Sequence, residues 1–319
     1  MRFSIVVPVY NSASYLEACL MSVKKQSKDE WELLLVDDGS TDESGKTIDI
    51  YAAKDERIHA YHQENQGQFF ARKKGIENAS GEYIIFLDSD DMLEANCIER
   101  LEMAAETKPD IILYTGRVFN KGKDTGKRIG VVSEKEKLTL RMIRNKLAFS
   151  NEANSLWTKA IRRNLFSGDE TDYSCYKGMC CGEDKAMLLY PFTKANNIYY
   201  IQDSLYRYNY YGESVIHKCN VDSVKRMLMN ETFSLIKLYM KMWGMESRKD
   251  EEKLCTYYLR NYILVYYNTR KYCKERNEYK KFCKYKLKKA IDKSYFRLCG
   301  IKLLTVSEKF KLLVTATGL

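Results

Sequence analysis

Three carboxylates, Asp88, Asp90 and Asp91, close an apolar run, Tyr83-Ile84-Ile85-Phe86-Leu87, with only Ser89 between the first two. In continued extended geometry Asp88 and Asp90 point the same way and can share one hard, oxygen-liganded ion such as Mg²⁺ or Mn²⁺. The structural alternative is an acidic turn capping a helix from Glu94, because Asp is a good cap. A second pair, Asp37-Asp38, ends another apolar run and leads into Gly39-Ser40-Thr41-Asp42. A third, Glu183-Asp184, follows Gly182 and precedes Met187, Leu188, Leu189, Tyr190 and Phe192 at helical spacing. Acids in a first helical turn commonly serve as caps.

The elements that must position these acids alternate strand and helix. Phe3 to Val9 reads as a strand, and Asn11 and Ser12 can cap a helix carrying Tyr15, Leu16, Cys19, Leu20 and Val23. Trp31 to Val36 is a second strand, followed by a helix from about Asp42 to Lys54 and a short strand from Arg57 to His62. A helix from about Gly67 to Asn78 then leads into the strand at Tyr83. Repeated β-α-β order implies a mostly parallel, doubly wound sheet, whose ligands gather at the carboxyl ends of its strands. Further strands are expected at Asp110 to Tyr114 and Arg117 to Asn120, with a glycine-rich hairpin near Gly122 to Gly130. His59 and His62 lie on the short strand and read as structural.

At 319 residues the chain can form one large domain or two ordinary ones, and three prolines argue against long disordered linkers. No stretch approaches the roughly 18 apolar residues of a membrane-spanning helix. The N-terminus has neither the length nor the flanks of a signal peptide, so a cytoplasmic location is expected. Ten cysteines include the adjacent Cys180-Cys181 but no C-x-x-C pair, which favours reduced structural thiols over disulfides. From about Val221 helical periodicity takes over. Between Arg270 and Lys302 there are 13 Lys or Arg against 3 Asp or Glu, interleaved with Tyr272, Phe282, Tyr285, Tyr295 and Phe296. Such a stretch is either a solvated helical face or an amphipathic surface attracted to anionic lipid. No nucleic-acid module accompanies the charge.

Four segments then occur in order: Ile5-Val6-Val7-Pro8-Val9-Tyr10-Asn11, Leu35-Val36-Asp37-Asp38-Gly39-Ser40-Thr41-Asp42, Ala71-Arg72 followed by Gly75, and Leu87 to Asp91. Together they resemble the family 2 glycosyltransferases, inverting enzymes of the GT-A fold that use nucleotide-sugar donors. The resemblance covers roughly residues 3 to 215. It implies a GT-A catalytic domain over 1–218, with a donor half at 1–115 and an acceptor half at 116–218, and a basic, mainly helical C-terminal region at 219–319.

The resemblance places nucleotide base and ribose at Pro8, Tyr10, Asp37 and Asp38, where Pro8 fixes φ, Tyr10 offers an aromatic face and Asp38 is the better candidate for uracil. Arg72 reaches the donor's phosphates with its rigid fork; the neighbouring Lys73 departs from the family's usual Asn. Asp90 is the expected direct ligand of a Mn²⁺ or Mg²⁺ ion on the diphosphate. Asp88 acts there or through the ribose, Ser89 lies between them, and Asp91 has a supporting place. Asp184 is the expected general base, with Glu183 as runner-up. Leu156-Trp157-Thr158-Lys159 resembles the family's Trp-x-Lys segment, giving Trp157 as a sugar-stacking platform or a core residue and Lys159 as a phosphate or acceptor contact. Leu205-Tyr206-Arg207-Tyr208 and Ser214-Val215-Ile216-His217 echo a closing strand and loop, with Arg207 and His217 as contacts to diphosphate or metal.

The expected reaction moves a hexose or N-acetylhexosamine from a UDP-sugar to a hydroxyl of a glycan or lipid-linked glycan, in surface polysaccharide synthesis. A homodimer and peripheral association with the inner face of an anionic membrane are open expectations; a nucleic acid is not expected. Two other classes stay in view. A sugar nucleotidyltransferase would begin with a glycine-rich basic loop, unlike Pro8-Val9-Tyr10-Asn11, and a non-catalytic binding module would have lost acids that are all present here.

Overall fold

The computed structural model describes residues 2–131, 138–179, 182–210 and 231–270, together with 277–278, 281, 304–305, 307–309 and 311. Two compact units divide the chain: residues 1–147, 151–179 and 183–211 form the first, and 148–150, 180–182 and 212–319 the second.

The first unit is built on β1 (Phe3–Val9), which is buried throughout and lies between β2 (Trp31–Asp37) and β4 (Tyr83–Phe86), parallel to both. β3 (Ile58–His62) extends the parallel half beyond β2. Side chains alternate across these strands. Phe3, Ile5, Val7 and Val9 join Leu33, Leu35, Tyr83, Ile85 and Leu87 in a core shared with Leu16, Cys19, Leu20 and Val23 of α1 (Ala13–Lys24), Ile48 of α2 (Ser44–Ala52), and Ile98 and Leu101 of α4 (Cys97–Ala105). Val6 faces the other way, onto α3 (Gln68–Asn78), where Gly75 permits very close approach. Helices therefore pack on both faces, as the doubly wound expectation requires.

Beyond β4 the sheet becomes mixed. β8 (Lys159–Arg162) runs antiparallel between β4 and β6 (Ile111–Asn120), β9 (Ile198–Tyr210) is parallel to β6, and β5 (Met92–Leu93) and β7 (Lys123–Ile129) add antiparallel edges. The helix expected from Glu94 begins only at Cys97, because Met92 and Leu93 first pair with β9 and Glu94 is taken by Arg117 and Arg207. The two strands expected around 110–120 are one. Gly116 carries it past Trp157, whose Cζ3 would lie 2.7 Å from a Cβ there. The hairpin turns at Lys121 and Gly122, both at positive φ, the primed turn that matches strand twist. Two helices precede the last strand in sequence, α5 (Leu140–Phe149) and, just before it, α6 (Glu183–Lys194).

A gap in the ladder opens the crevice. The Leu87 N–H donates to the Val6 carbonyl at 3.1 Å, and the next rung needs an N–H on residue 8, which is proline. β1 and β4 therefore part just where Asp88 begins.

In the second unit the described residues are mainly helical, with helices Glu231–Met242 and Arg248–Arg270. Phe233 and Tyr258 pack with ring centroids 4.4 Å apart, and Ile236, Tyr239, Met240, Leu254, Cys255 and Leu259 are buried. Among the described residues no helix is long and apolar enough to cross a membrane. Cys19, Cys97, Cys175 and Cys255 are free thiols. Cys180, Cys181, His217 and the aromatic residues Tyr272, Phe282, Tyr285, Tyr295 and Phe296 lie outside the described residues.

Candidate active site

The crevice is organised by a buried arginine. Arg72 lies on the α3 face that meets the crevice and is 1% exposed. Its Nη2 donates to Asp88 Oδ1 and its Nη1 to Asp184 Oδ1, both at 2.7 Å. Burial opposes the guanidinium charge, but Asp184, Asp88 and Glu183 outweigh it and hold the pKa above its ordinary value. Gln68, one turn earlier on the same helix face, adds a hydrogen bond from Nε2 to Asp88 Oδ1 at 3.1 Å. The strand-end acid and the acid of the α6 first turn, 96 positions apart in the chain, are thereby held by one planar fork.

Asp88, Asp90 and Asp91 have distinct environments. Burial of its surroundings, then repulsion from Asp88, push the Asp90 carboxyl up to about 6. No side-chain donor among the described residues reaches it. Asp91 turns away: its Oδ2 accepts from the Tyr206 hydroxyl and its Oδ1 from the Asn209 N–H, both at 2.7 Å. Tyr206 also accepts the Asp88 N–H at 3.1 Å, so β9 holds the acidic loop at two points. Ser89 meets the Ser12 hydroxyl at 2.6 Å and is 8% exposed, which ties the loop to the end of β1.

Among the described residues no three His, Cys, Asp or Glu side chains form a ready-made metal cage. Asp88 and Asp90 offer oxygen ligands alone, and crowded carboxylates are what a divalent cation relieves. Mg²⁺ and Mn²⁺ commonly take one or two carboxylates and complete their shells with water and substrate phosphate, so the residues fit such an ion.

The opposite wall is set by the ends of β1 and β2. Tyr10 is 51% exposed and offers its ring, while Pro8 is buried beneath it in the strand. Asn11 and Ser12 do not cap α1 with their side chains. Instead Asn11 Oδ1 accepts the Thr41 N–H at 2.8 Å and the Asn11 N–H donates to Ser40 Oγ at 3.0 Å. Asp37 accepts the Ser40 N–H at 3.0 Å. Asp38 turns inward, 3% exposed, and accepts from Gln63 Nε2, the Gln66 N–H and the Gly67 N–H at 2.8–2.9 Å. In this arrangement Asp38 holds the loop entering α3 rather than presenting its oxygens to a base.

Asp184 sits in the first turn of α6 with its side chain 26% exposed. Burial raises its carboxyl above the ordinary value against the pull of Arg72, which favours proton acceptance. Glu183 beside it is 7% exposed. Lys159 is fully buried; its Nζ donates to the Ser155 carbonyl at 2.5 Å and to Thr158 Oγ1 at 3.1 Å, and burial pulls its pKa down to about 7. It supports the segment from within. Trp157 is 6% exposed and stacks on Tyr206 and Tyr208 at centroid distances of 4.4 and 5.8 Å, which places the ring in the core. Arg207, expected at the diphosphate or metal, is given a carboxylate partner instead. It alternates to the face of β9 opposite Tyr206, where Nε and Nη2 grip Glu94 at 2.9 and 3.0 Å, so it is committed to that carboxylate rather than to a diphosphate.

Sequence reasoning missed Gln68 and Tyr206. The first shares a helix face with Arg72 at a spacing of four. The second shares a strand face with Tyr208, but nothing in its own neighbourhood announces a bond to residues 88 and 91.

The model for glycosyl transferase family 2 matches residues 4–168. Glycosyltransferase GlyG of Streptococcus pneumoniae is 34% identical over 223 residues, 67% of this chain and 72% of GlyG. EpsH of Bacillus subtilis is 30% identical over 221 residues, 67% of this chain and 62% of EpsH, so the match spans less than two thirds of that relative. The crystal structure of S. aureus TarS 1–349 in complex with UDP-GlcNAc superposes with a TM-score of 0.70 at 20% identity, covering 99% of this chain and 89% of that one. At that identity the likeness shows a shared fold.

Proposed function

The chain belongs to glycosyl transferase family 2, and on that footing we propose that it moves a hexose or N-acetylhexosamine from a UDP-sugar to a hydroxyl of a glycan or lipid-linked glycan, with inversion, in the synthesis of a surface polysaccharide. The observation that carries this reading is the double grip of Arg72 on Asp88 and Asp184, which brings a leaving-group acid and a proton acceptor to one crevice. Residues 1–115 then form the donor half and 116–218 the acceptor half. TarS, which shares the fold, is described with UDP-GlcNAc and with UDP, and this supports a uridine donor.

The half-exposed Tyr10 ring stacks on the base, and the turn held by Asp37 lines the ribose. Arg72, buried with both ends of its fork on carboxylates, orients the two acids and serves the donor through Asp88 rather than by direct contact with the phosphates. Asp90, with Asp88 beside it, would hold a Mn²⁺ or Mg²⁺ ion, whose chemistry when bound is to neutralise charge on the departing nucleoside diphosphate. Asp184 accepts the proton of the acceptor hydroxyl, and the freed oxygen attacks the anomeric carbon from the face opposite UDP. The C–O bond to UDP breaks as the new glycosidic bond forms, so an α-linked donor gives a β-linked product.

The basic, tyrosine-rich stretch from Arg270 to Lys302 supports a lipid-linked acceptor at an anionic membrane face. Co-sedimentation with anionic vesicles, lost at high salt, is the expected outcome. The test of the main reading is UDP release from a panel of UDP-sugars, with and without Mn²⁺ or Mg²⁺. Metal-dependent release from at least one donor is expected; no release, or release of pyrophosphate from a nucleoside triphosphate and a sugar phosphate, overturns it.

A further inference from the structure

One side chain away from the reacting acids is held by two carboxylates at once. His62, the last residue of β3, has Nδ1 3.1 Å from Asp37 Oδ2 and Nε2 3.0 Å from Asp49 Oδ1. A ring that serves an acceptor on each nitrogen must carry a proton on each, so the two bonds coexist only in the imidazolium form. The hydrogen bond to Asp49, and after it that to Asp37, raise the His62 pKa above its ordinary value against partial burial. The charged groups around it are Asp37 from β2, Asp49 from α2 and Lys74 from α3, whose ammonium donates to the His62 carbonyl at 2.8 Å. Gly45 of α2 leaves room for the arrangement: a Cβ there would lie 3.2 Å from Asp37 Oδ2 and 3.7 Å from His62 Cε1.

The other oxygen of Asp37 leads into the crevice. Oδ1 receives the Ser40 N–H, Ser40 Oγ receives the Asn11 N–H, and Asn11 Oδ1 receives the Thr41 N–H. This chain of bonds locks the turn after β2 to the loop that presents Tyr10. His62 is thus three hydrogen bonds from the residue beside the exposed ring, and no part of the motif that built the donor site includes it.

We propose that His62 is a positioning residue for the nucleotide site: by gripping Asp37 and Asp49 together it fixes the turn that reads base and ribose, and it does so only while both ring nitrogens are protonated. This rests on the nucleotide-sugar reading of the crevice. A neutral ring donates to one acid and turns a lone pair toward the other, so Asp37 is held less firmly. Because the folded-state pKa is raised, the grip is complete below the ordinary imidazole value and is lost as pH rises through the raised one.

The test uses the full chain with UDP and Mn²⁺ as the probe, its dissociation constant followed from below to well above pH of about 6.5. His62→Gln offers a donor to one acid and does not titrate. Titration of the UDP phosphate is common to parent and variant and drops out of their comparison. The parent is expected to lose UDP affinity by about two- to fivefold across the range, the size of an exposed ion pair, and the Gln variant to bind weakly throughout without that step. In UDP release the loss should fall on KM for the UDP-sugar, with kcat at saturation within about twofold. If His62→Gln does not fold, Asp49→Asn on the exposed side of α2 asks the same question. Equal affinity and equal pH dependence in parent and variant overturn the proposal. A parent that binds no UDP at any pH overturns the reading of the crevice itself, and the proposal with it.

Discussion

Arg72 Nη1 and Asp184 Oδ1 stand 2.7 Å apart, and the other terminal nitrogen of the same guanidinium is equally close to Asp88 Oδ1. The distance between the acid proposed to meet the donor and the acid proposed to meet the acceptor is therefore set by the width of one rigid, planar group. Its near-complete burial removes the competition of water and makes the two ion pairs interdependent.

Arg72→Lys keeps the charge but has a single ammonium in place of the fork. It should lower turnover by about 10²-fold, the penalty of misplacing reacting groups by an ångström, read as UDP release from a UDP-sugar. Arg72→Ala should in addition lose about 3–5 kcal/mol of stability in denaturant unfolding, since two carboxylates lose their buried partner. Unchanged turnover in the Lys variant would mean that charge alone matters at this position.

Asp184→Asn keeps the shape and removes the proton acceptor. Turnover should fall by about 10²–10⁴-fold, while UDP affinity measured by calorimetry stays close to that of the parent. If UDP affinity falls in step with turnover, Asp184 is architectural and the base lies elsewhere.

The alternation of apolar runs and helical spacing made the parallel half of the sheet legible, because each of those elements buries a face on its own local pattern. β8 was not legible: Lys159–Arg162 is four residues long, and its pairing with β4 and β6 depends on contacts formed from distant parts of the chain. The same reason hid β5 behind an expected helix start. Acid spacing and family resemblance together named Asp88, Asp90, Arg72 and Asp184 as candidates, and the structure sets Arg72 between Asp88 and Asp184. Asp38 and Arg207 could not be placed, since a side chain's partners on other elements decide whether it faces a ligand or holds a loop. Gln63, Gln66 and Gly67 claim the first, and Glu94 claims the second.

Tyr206→Phe tests whether the acidic loop is held from β9. The change deletes one hydroxyl that donates to Asp91 in buried surroundings and accepts from the Asp88 N–H in partly buried ones. The expected cost is about 1–3 kcal/mol in unfolding free energy. Turnover should fall further than the unfolded fraction explains, because Asp88 loses its backbone anchor. A stability loss with full activity in the folded fraction would reduce Tyr206 to a packing role.

Glu32 gives the fold a calculable response to acid. Its carboxylate is 4% exposed and accepts from Ser4 Oγ, the Ser80 N–H and hydroxyl, and the Gly81 N–H at 2.5–3.0 Å. Burial works to raise its pKa, but these donors prevail and hold it below the ordinary 4.5. A depressed folded-state pKa contributes stability that is present above the ordinary value and lost as pH falls through the folded one. Glu32→Gln should therefore cost about 1.5–3 kcal/mol at neutral pH, with the gap to the parent closing in acid. A gap that stays constant down through the carboxylate range would show that shape, not charge, is what the donors recognise.

Gly75 decides whether α3 is seated closely enough for Arg72 to reach both acids. In a helix interior Gly→Ala is ordinarily stabilising by about 0.5–1 kcal/mol. At Gly75 the added Cβ would lie 2.4 Å from Val6 Cγ1, inside any real contact, and a tight 3.1 Å from Cγ2, and Val6 is fixed in the fully buried β1. Overpacking of this kind costs about 1–3 kcal/mol, so the net sign should be destabilising. Arg72 stands three residues earlier on the same face, so lifting α3 from the sheet should also lengthen its bonds to Asp88 and Asp184 and lower UDP release beyond the loss of folded protein. Adding Val6→Ala removes the clashing methyls and should recover much of the activity even though it leaves a smaller core residue. If Gly75→Ala is instead more stable than the parent and fully active, the helix has slack against β1, and the position of Arg72 must be set by its own ion pairs rather than by the packing beneath it.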